Sequence, residues 1–144
     1  MSSESWWAAG TILQVSDGAT PEVFTAVAEV VDVHPPHETK DSIEVTHHGS
    51  TSKYREYIPG LKDGGTLPLD VNWLLTNATH NKSTGLRKVF EGDSNVNMRL
   101  VLPDSLGTIS FAGHITDWNP QTPLPSQGKL SISIKISGPV VYPW

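Results

Sequence analysis

Apolar residues alternate with polar ones along most of the chain. From Lys129 to Ser137, Leu130, Ile132, Ile134 and Ile136 alternate with Ser131, Ser133, Lys135 and Ser137. That period of two marks a strand with one face on a core and the other in water. Leu67, Leu69, Val71, Trp73 and Leu75 alternate in the same way with Thr66, Pro68, Asp70 and Asn72. Asn95 to Leu102 sets Val96, Met98, Leu100 and Leu102 on one side, and Thr108 to Asp117 sets Ile109, Phe111, Gly113 and Ile115 on one side. Gly10 to Val15 predicts a first strand. Ser42 to His48 predicts another, with Ile43, Val45 and His47 opposite Glu44, Thr46 and His48. Val23 to Val33 is apolar on both faces and holds five valines in eleven residues. This predicts one long strand covered on both sides. Pro68 has no amide hydrogen to give to a ladder, so it is expected on an edge or near a strand end, and in an isolated subunit its strand is expected at a sheet edge, open to a later neighbour.

Helical period appears once. Leu86, Val89 and Phe90 form an i, i+3, i+4 stripe that predicts a helix over Asn81 to Glu91. Asn81 or Ser83 is its expected cap and Gly92 its stop. Pro103 to Gly107 reads as a turn, and Asn119 to Gly128, with three prolines, as a longer loop. No repeat is visible. The predicted fold class is all-β with one flanking α-helix, built as a β-sandwich or open barrel. Residues 1–9 are expected to form an N-terminal arm, and residues 10–144 a single β-domain with an extended loop at 49–65.

That loop has an unusual content. Tyr54, Tyr57, Ile58 and Leu61 are interleaved with Lys53, Arg55, Glu56 and Lys62, and Pro59-Gly60 and Asp63-Gly64-Gly65 break the chain. Apolar groups in a long loop must be covered, either by the domain's own core or by another molecule.

Tyr54 to Gly65, YREYIPGLKDGG, resembles the signature segment of the phage tail tube proteins, the family of the long non-contractile tails. Asp41 to Ser50 is similar to that family's preceding strand, and a weaker likeness runs from about Gly10 to about Val141. The resemblance implies a structural virion protein whose sheet is completed when subunits close into six-fold rings. The rings would stack into a tube through which DNA passes during ejection. It implies as partners other copies of the chain and the tail initiator, terminator and length-determining proteins, with assembly in the host cytoplasm. The expected subunit interface is Tyr54, Arg55, Glu56, Tyr57, Ile58, Leu61 and Lys62, joined by Trp6 and Trp7 of the arm. Members of the family often carry a further C-terminal immunoglobulin-like domain. None is expected here, since the sequence ends at Trp144.

Composition agrees with this reading. Twelve glycines, eleven prolines and 17% charged residues suit short strands and many turns. A chain of 144 residues fits one domain. With no cysteine, disulfides and thiolate metal sites are excluded. No run approaches the roughly 18 apolar residues of a membrane span, and the N-terminal residues lack the pattern of a signal peptide. The formal charge is −5, with ten scattered Lys and Arg against fifteen acids. A protein that grips DNA needs clustered cations. A conduit for DNA is better served by like charge on its wall.

The same residues offer no pattern of catalytic chemistry. His47 and His48, adjacent on an expected strand, point to opposite faces and poorly share a metal. His34, His37, His80 and His114 are expected in turns or on polar faces, solvated or hydrogen-bonded. No nucleophile elbow, P-loop or dinucleotide motif occurs. The acid pairs Asp41 with Glu44 and Glu91 with Asp93 read as solvated groups. Trp73 reads as core and Trp118 as more open, able to stack a sugar or base. No enzyme activity, cofactor, metal or membrane partner is expected. The alternatives are a carbohydrate- or ligand-binding β-sandwich module, and the tube protein of a related secretion or bacteriocin system.

Overall fold

The alternating runs become strands whose apolar rows meet in one core. The computed structural model describes residues 5, 9–18, 21–49, 53–74, 76–124 and 126–144. Along these residues the order is β1 (Ile12–Ser16), β2 (Phe24–Ala26), β3 (Val30–Val33), β4 (Thr39–Glu44), β5 (Tyr57–Asp63), β6 (Thr66–Asn72), α1 (Leu86–Glu91), β7 (Val96–Val101), β8 (Thr108–Gln121) and β9 (Lys129–Val141). Leu67, Leu69 and Val71 of β6, Met98 and Leu100 of β7, and Leu130, Ile132, Ile134 and Ile136 of β9 are all buried. Seven strands form one sheet in the order β2-β1-β7-β8-β9-β6-β3, while β4 and β5 pair apart as a two-stranded hairpin. The all-β class with one helix is therefore what the chain adopts.

The long strand expected over Val23 to Val33 is instead two short ones. β2 pairs with β1 at one edge of the sheet and β3 with β6 at the other. Only residues 27–29 separate them, so the sheet must curl until its two edges come near each other. It does not close, because β2 and β3 share no ladder. Glu29 turns the chain at φ 52. Val27 is buried and its amide donates to the Leu13 carbonyl at 2.9 Å, while the Asn72 amide donates to the Glu29 carbonyl at 3.0 Å. The two-faced apolar pattern thus belongs to a crossing between edges rather than to a strand covered on both sides.

The crossing is held from one side by the turns after β6. Ala28 donates its amide to Thr79 Oγ1 at 3.0 Å. His80 is buried, and its Nε2 lies 2.8 Å from the Ala28 carbonyl oxygen while its Nδ1 faces the Leu74 amide at 3.2 Å. Nδ1 must accept from that amide, so Nε2 carries the hydrogen and donates. His80 is therefore hydrogen-bonded as expected but not solvated.

Other expectations need correction. β6 is not an edge strand, since β3 covers its outer side as far as the Val33–Leu69 pair. Pro68 sits one residue beyond that pair, where no donor is required. Leu75 lies outside the described residues. The helix starts at Leu86 rather than Asn81. Asn81 Oδ1 accepts the amides of Ser83 and Thr84 at 3.2 and 2.9 Å, which closes a turn ahead of the helix. Gly85 precedes the helix in extended conformation with no side-chain cap, and Gly92 ends it with φ −77 rather than a left-handed residue. Leu86 is buried, and Phe90 stacks on Trp118 with ring centroids 5.8 Å apart. Because β8 runs on to Gln121, Trp118 lies within a strand and against the helix rather than at an open strand end.

Candidate self-assembly surface

The hairpin β4–β5 stands apart from the core. Its ladder runs from the Thr39–Asp63 pair to the Glu44–Tyr57 pair, with Ile43 opposite Ile58. Residues 57–63 of the segment expected as a loop are therefore strand. Pro59 and Gly60, which break regular structure by rule, fall where the register shifts between Lys40 and Ser42. Such a bulge tolerates proline. A Cβ on Gly60 would stand 3.0 Å from the Asp41 Cβ, so glycine lets the two backbones close there.

The strand expected through His48 stops at Glu44. Beyond it, Val45 donates its amide to the Glu56 carbonyl and Glu56 donates to Thr46 Oγ1, both at 2.8 Å, which narrows the neck of the turn. His47 and His48 are thus not on a strand. The His47 ring folds back so that Nδ1 accepts the Gly49 amide at 2.9 Å. Among the described residues, no group of three His, Cys, Asp or Glu side chains is placed to hold a metal.

The base of the hairpin is fixed to the barrel. Asp63 Oδ1 accepts the Gly65 amide and the Lys135 ammonium, each at 2.9 Å. The Gly65 amide foremost, and Lys135 after it, hold the Asp63 carboxyl below its ordinary pKa. Gly65 has φ 77, and a Cβ there would overlap the His37 carbonyl oxygen. The Ile136 amide donates to the Gly65 carbonyl at 3.0 Å, continuing the β9 ladder into the hairpin's exit.

Above this base the hairpin carries its apolar groups into solvent. Leu61 is 82% exposed and Tyr54 78%, and Tyr57, Ile58, Ile43 and Val45 are exposed as well. A loop folded onto its own core would bury them. Every interface residue expected between 54 and 62 lies on this hairpin or its turn. Ile43 and Val45 join the surface from β4. Their alternation in sequence is the signal, but in sequence it reads as a strand of the main domain. Trp6 and Trp7 lie outside the described residues.

Solved structures share this architecture. A chain in the virion of a native gene transfer agent particle superposes with TM-score 0.68 at 12% identity, over 91% of this chain and 95% of that one. A chain in the tail of an empty gene transfer agent particle, obtained with helical refinement and C6 symmetry, gives TM-score 0.66 at 14% identity, over 92% and 96%. A chain of the six-fold symmetrised anti-feeding prophage baseplate gives TM-score 0.64 at 11% identity, over 99% and 97%. At these identities the likeness speaks for the fold. No curated protein sequence matches the chain. Residues 6–140 match the model of the lambda phage tail tube protein, TTP. Since that match runs through barrel and hairpin alike, the chain belongs to the lambda phage tail tube protein family and is a structural protein of a virion tail.

Proposed function

We propose that this protein closes into six-fold rings, that the rings stack into a tube, and that the β4–β5 hairpin is the connector between subunits. The observation that carries this reading is the hairpin itself. It holds Leu61, Tyr54, Tyr57 and Ile58 away from the core, an apolar surface that a solitary soluble domain rarely leaves open. The six-fold symmetry of two related assemblies supports the ring number. Among the described residues the outer sides of β2 and β3 are unpaired and supply two different edges, and head-to-tail pairing of unlike surfaces closes a ring when the rotation allows.

DNA passes through the lumen without tight binding. The net charge of −5 and the absence of clustered cations in the sequence support that role. The role is structural rather than catalytic. Its partners are further copies, the tail initiator and terminator, and the length-determining protein, met in the host cytoplasm during assembly.

The test replaces residues 53–62 with a Gly-Ser linker of equal length, keeping Asp63, Gly64 and Gly65 at the base. A folded, β-rich monomer that forms no tubes by electron microscopy is the expected result. Normal tubes would show the hairpin to be only a connection.

A further inference from the structure

We propose that a groove at the α1 end of the barrel receives the tip of the β4–β5 hairpin of a second copy. This rests on the connector reading above and names the surface that the connector engages.

The groove has a volume of about 720 Å³ and lies between the β1–β2 connection, the turns after β6, α1 and the start of β7. That size falls within the roughly 300–1,000 Å³ of clefts that hold a ligand. Val15, Val27, Leu86, Val89 and Val96 give it an apolar lining suited to aromatic rings.

Its position relative to the hairpin sets the geometry. The hairpin enters β6 at Thr66, and the segment leading to α1 leaves β6 at Asn72. β6 has seven residues; at about 3.3 Å per residue it separates the two features by roughly 20 Å. The base of the hairpin and the groove therefore sit at opposite ends of one strand. Two unlike patches so placed join copies in one direction and repeat without limit.

Charge selects the occupant. Asp17, Glu22 and Asp93 stand along the groove against a single cation, Lys88. Glu22 is held in place there, accepting from the Ser16 hydroxyl at 2.5 Å and from Asn97 Nδ2 at 2.9 Å. The hairpin turn brings Lys53 and Arg55 against the single acid Glu56, with Tyr54 and Tyr57 as the apolar pieces. The rival occupant is the arm with Trp6 and Trp7. Its only charged side chain is Glu4, which the acidic rim repels.

The chain has no cysteine, so an introduced pair reports the contact alone. Glu56→Cys with Ser94→Cys, assembled and mildly oxidised, should give a ladder of covalent oligomers. Tubes that stay monomeric on oxidation overturn the proposal, as does cross-linking of Trp7→Cys to Ser94→Cys in its place. Charge exchange is the second measurement. Asp93→Lys should lower the yield of sedimentable tube by about tenfold or more, since it would set like charges against each other across the contact. Adding Arg55→Glu should restore it. No loss with the single variant, or no recovery with the double, overturns the groove assignment even if the cysteine pair blocks assembly. Tubes from the linker variant described above would instead refute the connector reading itself.

Discussion

His80 Nε2 donates to the carbonyl oxygen of Ala28 at 2.8 Å, across 52 residues of sequence. Ala28 lies on the three-residue crossing between the two edge strands of the sheet. The imidazole thus couples the turns after β6 to the piece of chain that sets how far the sheet curls.

Replacing His80 with Ala should be strongly destabilising. It leaves the part-buried Ala28 carbonyl and Leu74 amide without the ring, each toward the low end of the about 1–3 kcal/mol that an unsatisfied buried group costs, and removal of the buried imidazole opens a void besides. We expect a loss of roughly 3 kcal/mol or more by urea unfolding. An unchanged midpoint would show that the crossing is held without the ring.

Asp63 predicts a pH dependence at the hairpin base. Its folded pKa lies below the ordinary carboxylate value because the ionised form accepts from the Gly65 amide and from Lys135. A depressed acid contributes stability that is fully present above the unfolded pKa and is lost as pH falls through the folded one. Protection of the Gly65 amide, its exchange rate compared with the intrinsic rate at the same pH, should therefore fall in acid, below the usual carboxylate range. Asp63→Asn should abolish that acid step. The same step in the variant would assign it to another group.

Two glycines with similar backbone angles should respond differently to alanine. Gly18 has φ 75 with open space around its Cα, whereas Gly65 has φ 77 against the His37 carbonyl. Gly18→Ala should cost only the left-handed backbone penalty, about 1–2 kcal/mol. Gly65→Ala adds a clash with main chain, which has no rotamer to move. Its loss should clearly exceed that of Gly18→Ala in paired thermal unfolding. Equal losses would mean that the hairpin base can shift.

The sequence was readable where burial follows a simple period. β6, β7 and β9 sit where their alternation puts them, because one buried face forces every second residue to be apolar. It misled where tertiary contacts override local pattern. Val23 to Val33 has the composition of one strand, yet Val27 must reach the core and Glu29 must turn. Proline and glycine at 59 and 60 read as loop, but a bulge accommodates both within β5. The helix lost its first turn because Asn81 bonds the amides of its own turn instead. The apolar residues of the candidate surface were legible at 54–61, since their oddity lies in composition. Ile43 and Val45 were hidden, because alternation looks the same in a strand that faces a core and in one that faces a neighbour.

The exposed hairpin should separate folding from assembly. Leu61 is 82% exposed in the single subunit, so Leu61→Ser removes almost no buried contact. Surface changes of this kind usually stay within about 0.5 kcal/mol of neutral. In a tube the same side chain lies in the proposed joint, where a few buried anchors dominate the affinity of an interface. We expect an unfolding midpoint like that of the parent chain, together with a critical concentration for tube formation raised about tenfold, the shift that 1.4 kcal/mol produces. Light scattering during assembly reads the second quantity and urea unfolding of the monomer the first. A variant that assembles like the parent would place Leu61 outside the joint. One that unfolds early would mean that the hairpin is covered by its own domain, in conflict with the exposure of Leu61, Tyr54 and Tyr57.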